Sequence, residues 1–430
     1  MKLFFLLTLV LLMGCSLRQQ NNFHDEDYPN RAMVPFVKVD SLNPILSAGS
    51  GVFDCPIVKD LVRWEEKDVF NPAAAVRNDS VYLIYRAEDT IGKHAGTSRL
   101  GLAVSGDGLH FKRRHTPILF PAEDFMKGYE WEGGIEDSRI VEREDGLYIM
   151  TYTAYDGKTA RLCVASSRDL VTWTKHGLAL AGSYQDTWSK SGAIVAKEVG
   201  SKIIAQKINE KYWMYFGDTD LFMATSDDLI RWEPLIQNSK LKSILRARRG
   251  YFDSRLVESG PYALLTEKGI VLIYNGMNLD EGGDPSIAKG AYCAGQALFD
   301  SQDPTRLVDR LEKISYGQIG HTRLPGKSIR FVLRKALFSF AEGGFCTLVR
   351  LIQKLPWPHL LFREPIEKHT YSRPNASWFV LLVGEKECKH LLVIAVISPQ
   401  ILSFHHSIGG SFATQVPVSK FVKHGASPND

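Results

Sequence analysis

The chain has 430 residues, 44% of them hydrophobic and 23% charged, with a net charge of +4. That balance buries a full core in one large domain or two ordinary ones and excludes disorder for most of the length. The small charge, with no basic run interleaved with aromatics before residue 312, excludes a nucleic-acid partner, and Cys55, Cys163, Cys293, Cys346 and Cys388 show no CxxC or metal spacing, so neither a disulfide framework nor a metal site is indicated.

The opening MKLFFLLTLVLLMGCS has a lysine, a short apolar run and a small-residue exit, which is the pattern of an export signal too short to span a bilayer as a mature helix. Leu12-Met13-Gly14-Cys15 resembles the lipobox of bacterial lipoproteins. On that reading residues 1–15 are the signal, Cys15 carries the lipid that holds the protein on a membrane, and residues 16–44 are a polar tether. An ordinary signal peptide with a chance cysteine is the alternative.

From about residue 60 the sequence is a succession of short β-type runs separated by Gly, Asp and Asn turns. NPAAAVRNDSVYLIYRAED followed by RLGLAVSGDGLHF, and EDSRIVEREDGLYIMTYTAYDG followed by RLCVASSRDLVTW, have the same plan. SGAIVAKEVGSKIIAQKINEKYWMYFGD with LFMATSDDLIRW, and FDSRLVESGPYALLTEKGIVLIYNG with GAYCAGQALFD, repeat it twice more. Units of about four strands, spaced by roughly 50 to 65 residues, predict an all-β, five-bladed β-propeller over residues 45–313, with four recognisable blades and a disrupted fifth. A β-sandwich is the alternative, but it does not need this internal similarity. First strands of blades line a central channel, so GGIEDSRI (133–140) and FDSRLV (252–257) are both expected as inner strands that turn Asp137 and Asp253 towards one pocket.

The stretches NPAAAVRNDSVYLIYRAED, SRLGLAVSGDGLHF, GGIEDSRI and KSGAIV together resemble the family 130 glycoside hydrolases and phosphorylases, five-bladed propellers acting on β-mannosides. The likeness covers about residues 60 to 312. It implies that Asp137 is the general acid, although Ser138 follows where the family usually has proline. It also implies that Arg86, Asp89 and Arg99 lie near the sugar.

The chemistry makes similar demands without the resemblance. Glycoside cleavage needs a carboxylic acid to protonate the leaving oxygen and, for inversion, a carboxylate about 6.5–9.5 Å away to activate water. Glu136 and Arg139 flank Asp137 and are expected to tune it, while Gly133 and Gly134 are expected to let a sugar approach the backbone. Glu258 is the first candidate for the base and Asp218 the second. Tyr129, Trp131, Tyr155 and Trp188 are candidates to stack on sugar faces.

A phosphorylase would need a cluster of cations for phosphate, and Arg161 and Lys190 are the available anion ligands. Gly217 and Asp218 stand where some phosphorylases of the family carry a His-Arg pair, and an acid there repels phosphate. An exported enzyme also gains little from making a sugar phosphate outside the cell. The sequence is therefore read as an inverting hydrolase of β-mannosides, β-1,2-linked ones included, that uses no cofactor. A phosphorylase with inorganic phosphate as cosubstrate, and a non-catalytic glycan-binding lipoprotein or inactive truncated product, are the alternatives.

After Leu311-Glu312-Lys313 the repeats stop, and residues 314–430 read as a basic, unpatterned run. The codons for GGFCTLVRLIQK (343–354) permit WVLYFGTADSK in a neighbouring frame, an aromatic strand and turn like those of the family's last blade. This points to a frameshift near residue 313. A genuine different C-terminal domain is the alternative.

Overall fold

The computed structural model describes Met33, residues 44–317 and four strands between residues 368 and 407. The signal, Cys15 and most of the tether lie outside the described residues. The chain divides into two units, residues 1–357 and 358–430.

The first unit is all-β. A hairpin, β1 (Val52–Cys55) and β2 (Asp60–Arg63), precedes four successive antiparallel meanders. The first is β3 (Asp68–Arg77), β4 (Ser80–Glu88), β5 (Ser98–Ser105) and β6 (Lys112–Arg113). The second is β7 (Gly134–Glu142), β8 (Tyr148–Tyr155), β9 (Ala160–Ser167) and β10 (Thr174–Leu178).

In the third, β11 (Ala193–Val199) pairs at one end with β12 (Lys202–Ala205) and at the other with β14 (Lys211–Phe216). The short β13 (Lys207–Ile208) also pairs with β14, which continues to β15 (Phe222–Ser226) and β16 (Glu233–Pro234). A small hairpin, β17 (Ile236–Gln237) and β18 (Lys240–Leu241), follows.

The fourth meander has an inner strand in two pieces, β19 (Leu256–Ser259) and β20 (Ala263–Thr266), both on β21 (Gly269–Met277). It is completed by β22 (Tyr292–Phe299), β23 (Leu307–Arg310) and β24 (Tyr316–Gly317). These are the four units of the repeat pattern. Parallel pairings of Ser98 with Gly134, Ile204 with Glu142 and Val195 with Ala263 join one meander to another, each with an inner strand on at least one side.

Local chemistry explains the repeat. In SGDGL, SSRDL and TSDDL the Ser105, Ser167 and Ser226 hydroxyls accept from the amides two and three residues on, while Asp107, Asp169 and Asp228 accept from the next amides. Each turn satisfies its own backbone and frees the apolar strands on either side to pack.

A second repeated device sits deeper. Tyr85, Tyr152 and Tyr274 occupy one register position on the second strand of their meanders. Each hydroxyl donates to a buried acid just before the inner strand: Tyr85 to Glu65 at 2.8 Å, Tyr152 to Glu130 at 2.9 Å and Tyr274 to Asp253 at 2.7 Å. A cation from the fourth strand completes each clasp, namely Arg113, Lys175 and Arg310. The third meander has Phe216 at this position.

The second unit holds β25 (Lys368–Arg373), β26 (Ala376–Leu381), β27 (His390–Ile397) and β28 (Gln400–Ser407) in one antiparallel sheet. The expectation of an unpatterned tail is corrected to that extent. Runs such as ASWFVL and HLLVIAVI, separated by the polar stretch GEKECK, carry strand propensity whatever reading frame produced them.

Candidate active site

The inner strands are interrupted in register. The pairing of β3 on β4 slips between Phe70 and Ala73, and that of β7 on β8 slips between Glu136 and Arg139. In the fourth meander the break falls after Ser259, and in the third the pairing with β14 begins at Ala193. Aligned on these interruptions, Phe70-Asn71, Glu136-Asp137, Lys190-Ser191 and Glu258-Ser259 are equivalent pairs. Asn71, Asp137 and Ser191 all have left-handed backbone, with φ of 45°, 49° and 60°. Non-glycine residues in that region are strained and are held there by surrounding structure, a condition found often at functional sites.

The interruptions bring charge together. Asp137, 5% exposed, accepts at Oδ1 from Asn71 Nδ2 at 2.5 Å and from Arg86 Nη1 at 3.4 Å, and its Oδ2 lies 3.6 Å from Lys190 Nζ. Glu136 receives Arg86 at 3.0 Å and Lys190 at 3.1 Å. Arg86 is steadied by Ser98 and Glu88 and lies over the Phe70 ring. Burial opposes the charge of Lys190, but the carboxylates of Asp137, Glu136 and Glu258 outweigh it and hold the ammonium firmly protonated.

Glu258 faces Lys190 from the fourth meander. Ser191 donates to its Oε1 at 2.6 Å and Asn275 to its Oε2 at 3.0 Å. Asp218 is half-buried, and the indole N–H of Trp188 reaches both its oxygens at 3.1 and 3.0 Å. Burial raises the pKa of Asp218, and the neighbouring Glu258 adds to the rise. Trp188 itself is 49% exposed.

Not every residue singled out in the sequence belongs to this cluster. Asp253 is a correction: it precedes β19 instead of lying on it, is fully buried, and binds Arg248, Arg310 and Tyr274 as the fourth-meander clasp. The register equivalent of EDSR is ESGP (258–261), not FDSR. Asp89 and Arg99 form a buried 2.7 Å ion pair, and Asp89 also accepts from the amides of Gly92 and Thr97, so the pair braces a loop. Arg139 donates to the carbonyls of Asp137, Ser259 and Gly260, tying the second inner strand to the fourth. Arg161 is engaged by Asp156 and Asp186 and covers the Tyr129 ring.

The two glycines are also reassigned. A Cβ at Gly133 would lie 2.1 Å from the Tyr155 carbonyl, and one at Gly134, where φ is +111°, would lie 2.3 Å from the Ser98 carbonyl. They admit neighbouring backbone, not a sugar.

Asn71, Ser191, Asn275, Glu88 and Ser98 were missed by sequence reasoning. NPA and KSGA do align with EDSR once the interruption is known, which is the signal that was available for Asn71 and Ser191.

Comparison with known proteins identifies the family. The model of glycoside hydrolase family 130, described as beta-1,4-mannooligosaccharide phosphorylase, matches residues 44–314. A 1,2-beta-oligomannan phosphorylase of Thermoanaerobacter sp. (strain X514) is 33% identical over 256 residues, covering 57% of this chain and 74% of that protein. A beta-1,2-mannobiose phosphorylase of the same organism is 30% identical over 263 residues, with the same 57% and 74% coverage. Among solved structures, a glycosyl hydrolase from Bacteroides ovatus is 46% identical, with a TM-score of 0.65 over 67% of this chain and 83% of that one. Another, 37% identical with a TM-score of 0.67 over 82% and 92% of the two chains, is described in the words "The GH130 family of mannoside phosphorylases contains glycoside hydrolases that target beta-1,2 mannosidic linkages in Candida mannan". With a family match over more than half its length and a carboxylate-rich site on its inner strands, the chain belongs to glycoside hydrolase family 130, whose members act on mannosides.

Proposed function

We propose that the protein hydrolyses β-mannosides, β-1,2-linked ones included, with inversion. Asp137 acts as general acid and Glu258 as the base that activates water, with Asp218 the second candidate for that base. The observation that carries this reading is the state of the cations. Arg161 is engaged by two aspartates and Lys190 by Glu136 and Asp137, while Asp218 and Glu258 add negative charge where a phosphate dianion would need the opposite. Asp137 gives its proton to the glycosidic oxygen as the C1–O bond breaks, so the leaving sugar departs as a neutral alcohol. Water bonds to C1 from the other face and loses its proton to Glu258.

Phosphorolysis is the second reading, favoured by the names of the curated relatives. Incubation with β-1,2-mannobiose separates the two. Free mannose formed without phosphate supports hydrolysis, whereas product formed only with phosphate, as mannose 1-phosphate, selects the phosphorylase. Binding with no turnover in either condition selects a glycan-binding module.

The same reading includes an exported lipoprotein anchored through Cys15, a five-bladed closed ring in the intact family fold, and a frameshift that removes the fifth blade here. Labelling with a radioactive fatty acid tests the anchor through its loss in Cys15→Ala. The gene sequence tests the frameshift: stop codons in the neighbouring frame before the codons of WVLYFGTADSK would eliminate it.

A further inference from the structure

The equivalent pairs on the inner strands show a division of labour. In the second meander the left-handed position is Asp137 itself. In the first it is Asn71, which donates across to Asp137 Oδ1 at 2.5 Å, well inside the 3.4 Å of Arg86 to the same oxygen. In the third it is Ser191, which donates across to Glu258 at 2.6 Å. One position in the repeat thus supplies an acid in one meander and, in two others, donors to carboxylates of the site.

We propose that Asn71 is the positioning residue of Asp137: its amide occupies Oδ1 as an acceptor, so that the transferable proton resides on Oδ2 and faces the scissile bond. This rests on Asp137 being the general acid. A neutral amide orients the carboxyl group without adding to the positive charge of Arg86 and Lys190 already beside it. Asparagine is also tolerant of left-handed backbone, so a bulge-forming role alone would explain its presence. The two roles separate in Asn71→Gly, because glycine keeps the backbone conformation and removes only the amide.

The test is steady-state kinetics of the full chain on β-1,2-mannobiose, whose leaving group needs a proton, and on 2,4-dinitrophenyl β-mannoside, whose leaving group does not. Asn71→Gly is expected to lower kcat on mannobiose by about 10–100-fold with KM changed by less than about threefold, and to lower kcat on the dinitrophenyl mannoside by less than about threefold. Equal losses on both substrates, or a loss confined to KM, would overturn the proposal. Asp137→Asn on the same pair separates the failures. If it discriminates between the substrates and Asn71→Gly does not, the positioning role alone falls. If Asp137→Asn does not discriminate, or the wild-type chain turns over neither substrate, the acid assignment falls and the proposal with it.

Discussion

GGIEDSRI and YFDSRLV share Asp-Ser-Arg, and the fold uses them in different ways. In the first, Asp137 sits on an interrupted inner strand among Asn71, Arg86 and Lys190, where its carboxylate joins a charged site. In the second, Asp253 lies one turn before its inner strand, next to Phe252 and Tyr274, whose rings stack with centroids 6.2 Å apart, and pairs with two arginines. Its counterparts are Glu65 and Glu130, which share no motif with it beyond an acid after an aromatic residue. Three matching letters carried less information than the register of the strand that follows.

The sharpest way to break the comparison is to make one substitution in both places. Asp137→Asn should lose roughly three or more orders of magnitude in rate on a natural β-mannoside, with a smaller change in stability than its twin. Asp253→Asn should destabilise the fold by about 2–4 kcal/mol, because the partly buried Arg248 and Arg310 lose their shared carboxylate, yet keep the rate per folded molecule within about tenfold. Urea unfolding midpoints together with active-site kinetics read both. A stable, inactive Asp253→Asn would return Asp253 to the pocket.

Gly134→Ala sharpens the reassignment of the glycines. It should cost about 2 kcal/mol or more through the left-handed backbone and the Ser98 carbonyl, and show in the thermal midpoint. A stable variant with a raised KM would support the sugar-approach reading instead.

Glu130, the second clasp acid, carries a pH signature. Burial raises its pKa from 4.5 to about 7 against the pull of Lys175. A carboxyl whose folded value exceeds its unfolded value contributes stability that is fully present below about pH 4.5 and lost as pH rises through about 7. Wild type should therefore lose about 2–3 kcal/mol relative to Glu130→Gln between pH 5 and pH 8. Parallel urea curves at the two pH values check this, and a constant difference would refute it.

The smallest effect concerns the clasp hydroxyls. Tyr274→Phe should cost about 1.5 kcal/mol by removing a hydrogen bond to a buried charge, whereas Phe216→Tyr should gain nothing, since among the described residues no buried acid precedes the inner strand of the third meander. A stabilised Phe216→Tyr would show that an acceptor stands at this position in the third meander too.

Much of the fold was legible in the chain. Each repeat carries its own strand alternation, its aromatic second strand and a Ser-x-Asp turn that satisfies its own backbone, and all of these act over a few residues. Asp137, Glu136, Arg86, Lys190 and Glu258 were singled out in the chain, and the structure brings their charges together. The failures came where a polar residue was judged by its neighbours in sequence. Asp89, Arg99 and Asp253 have the residue types of a site, but each finds its partner inside its own meander.

What the sequence by itself determined was therefore local: the strand periods, the turns and the family motifs, because each depends on contacts a few residues apart. Only the tertiary structure decided which charges share a site. Asn71 reaches Asp137 across 66 residues and Ser191 reaches Glu258 across 67. Arg139 holds a backbone 120 residues away. Such contacts depend on the stagger of one inner strand against another, and a one-residue slip in a strand exchanges its two faces. That stagger is set by meander packing against meander, so it is a property of the assembled unit that no single repeat carries.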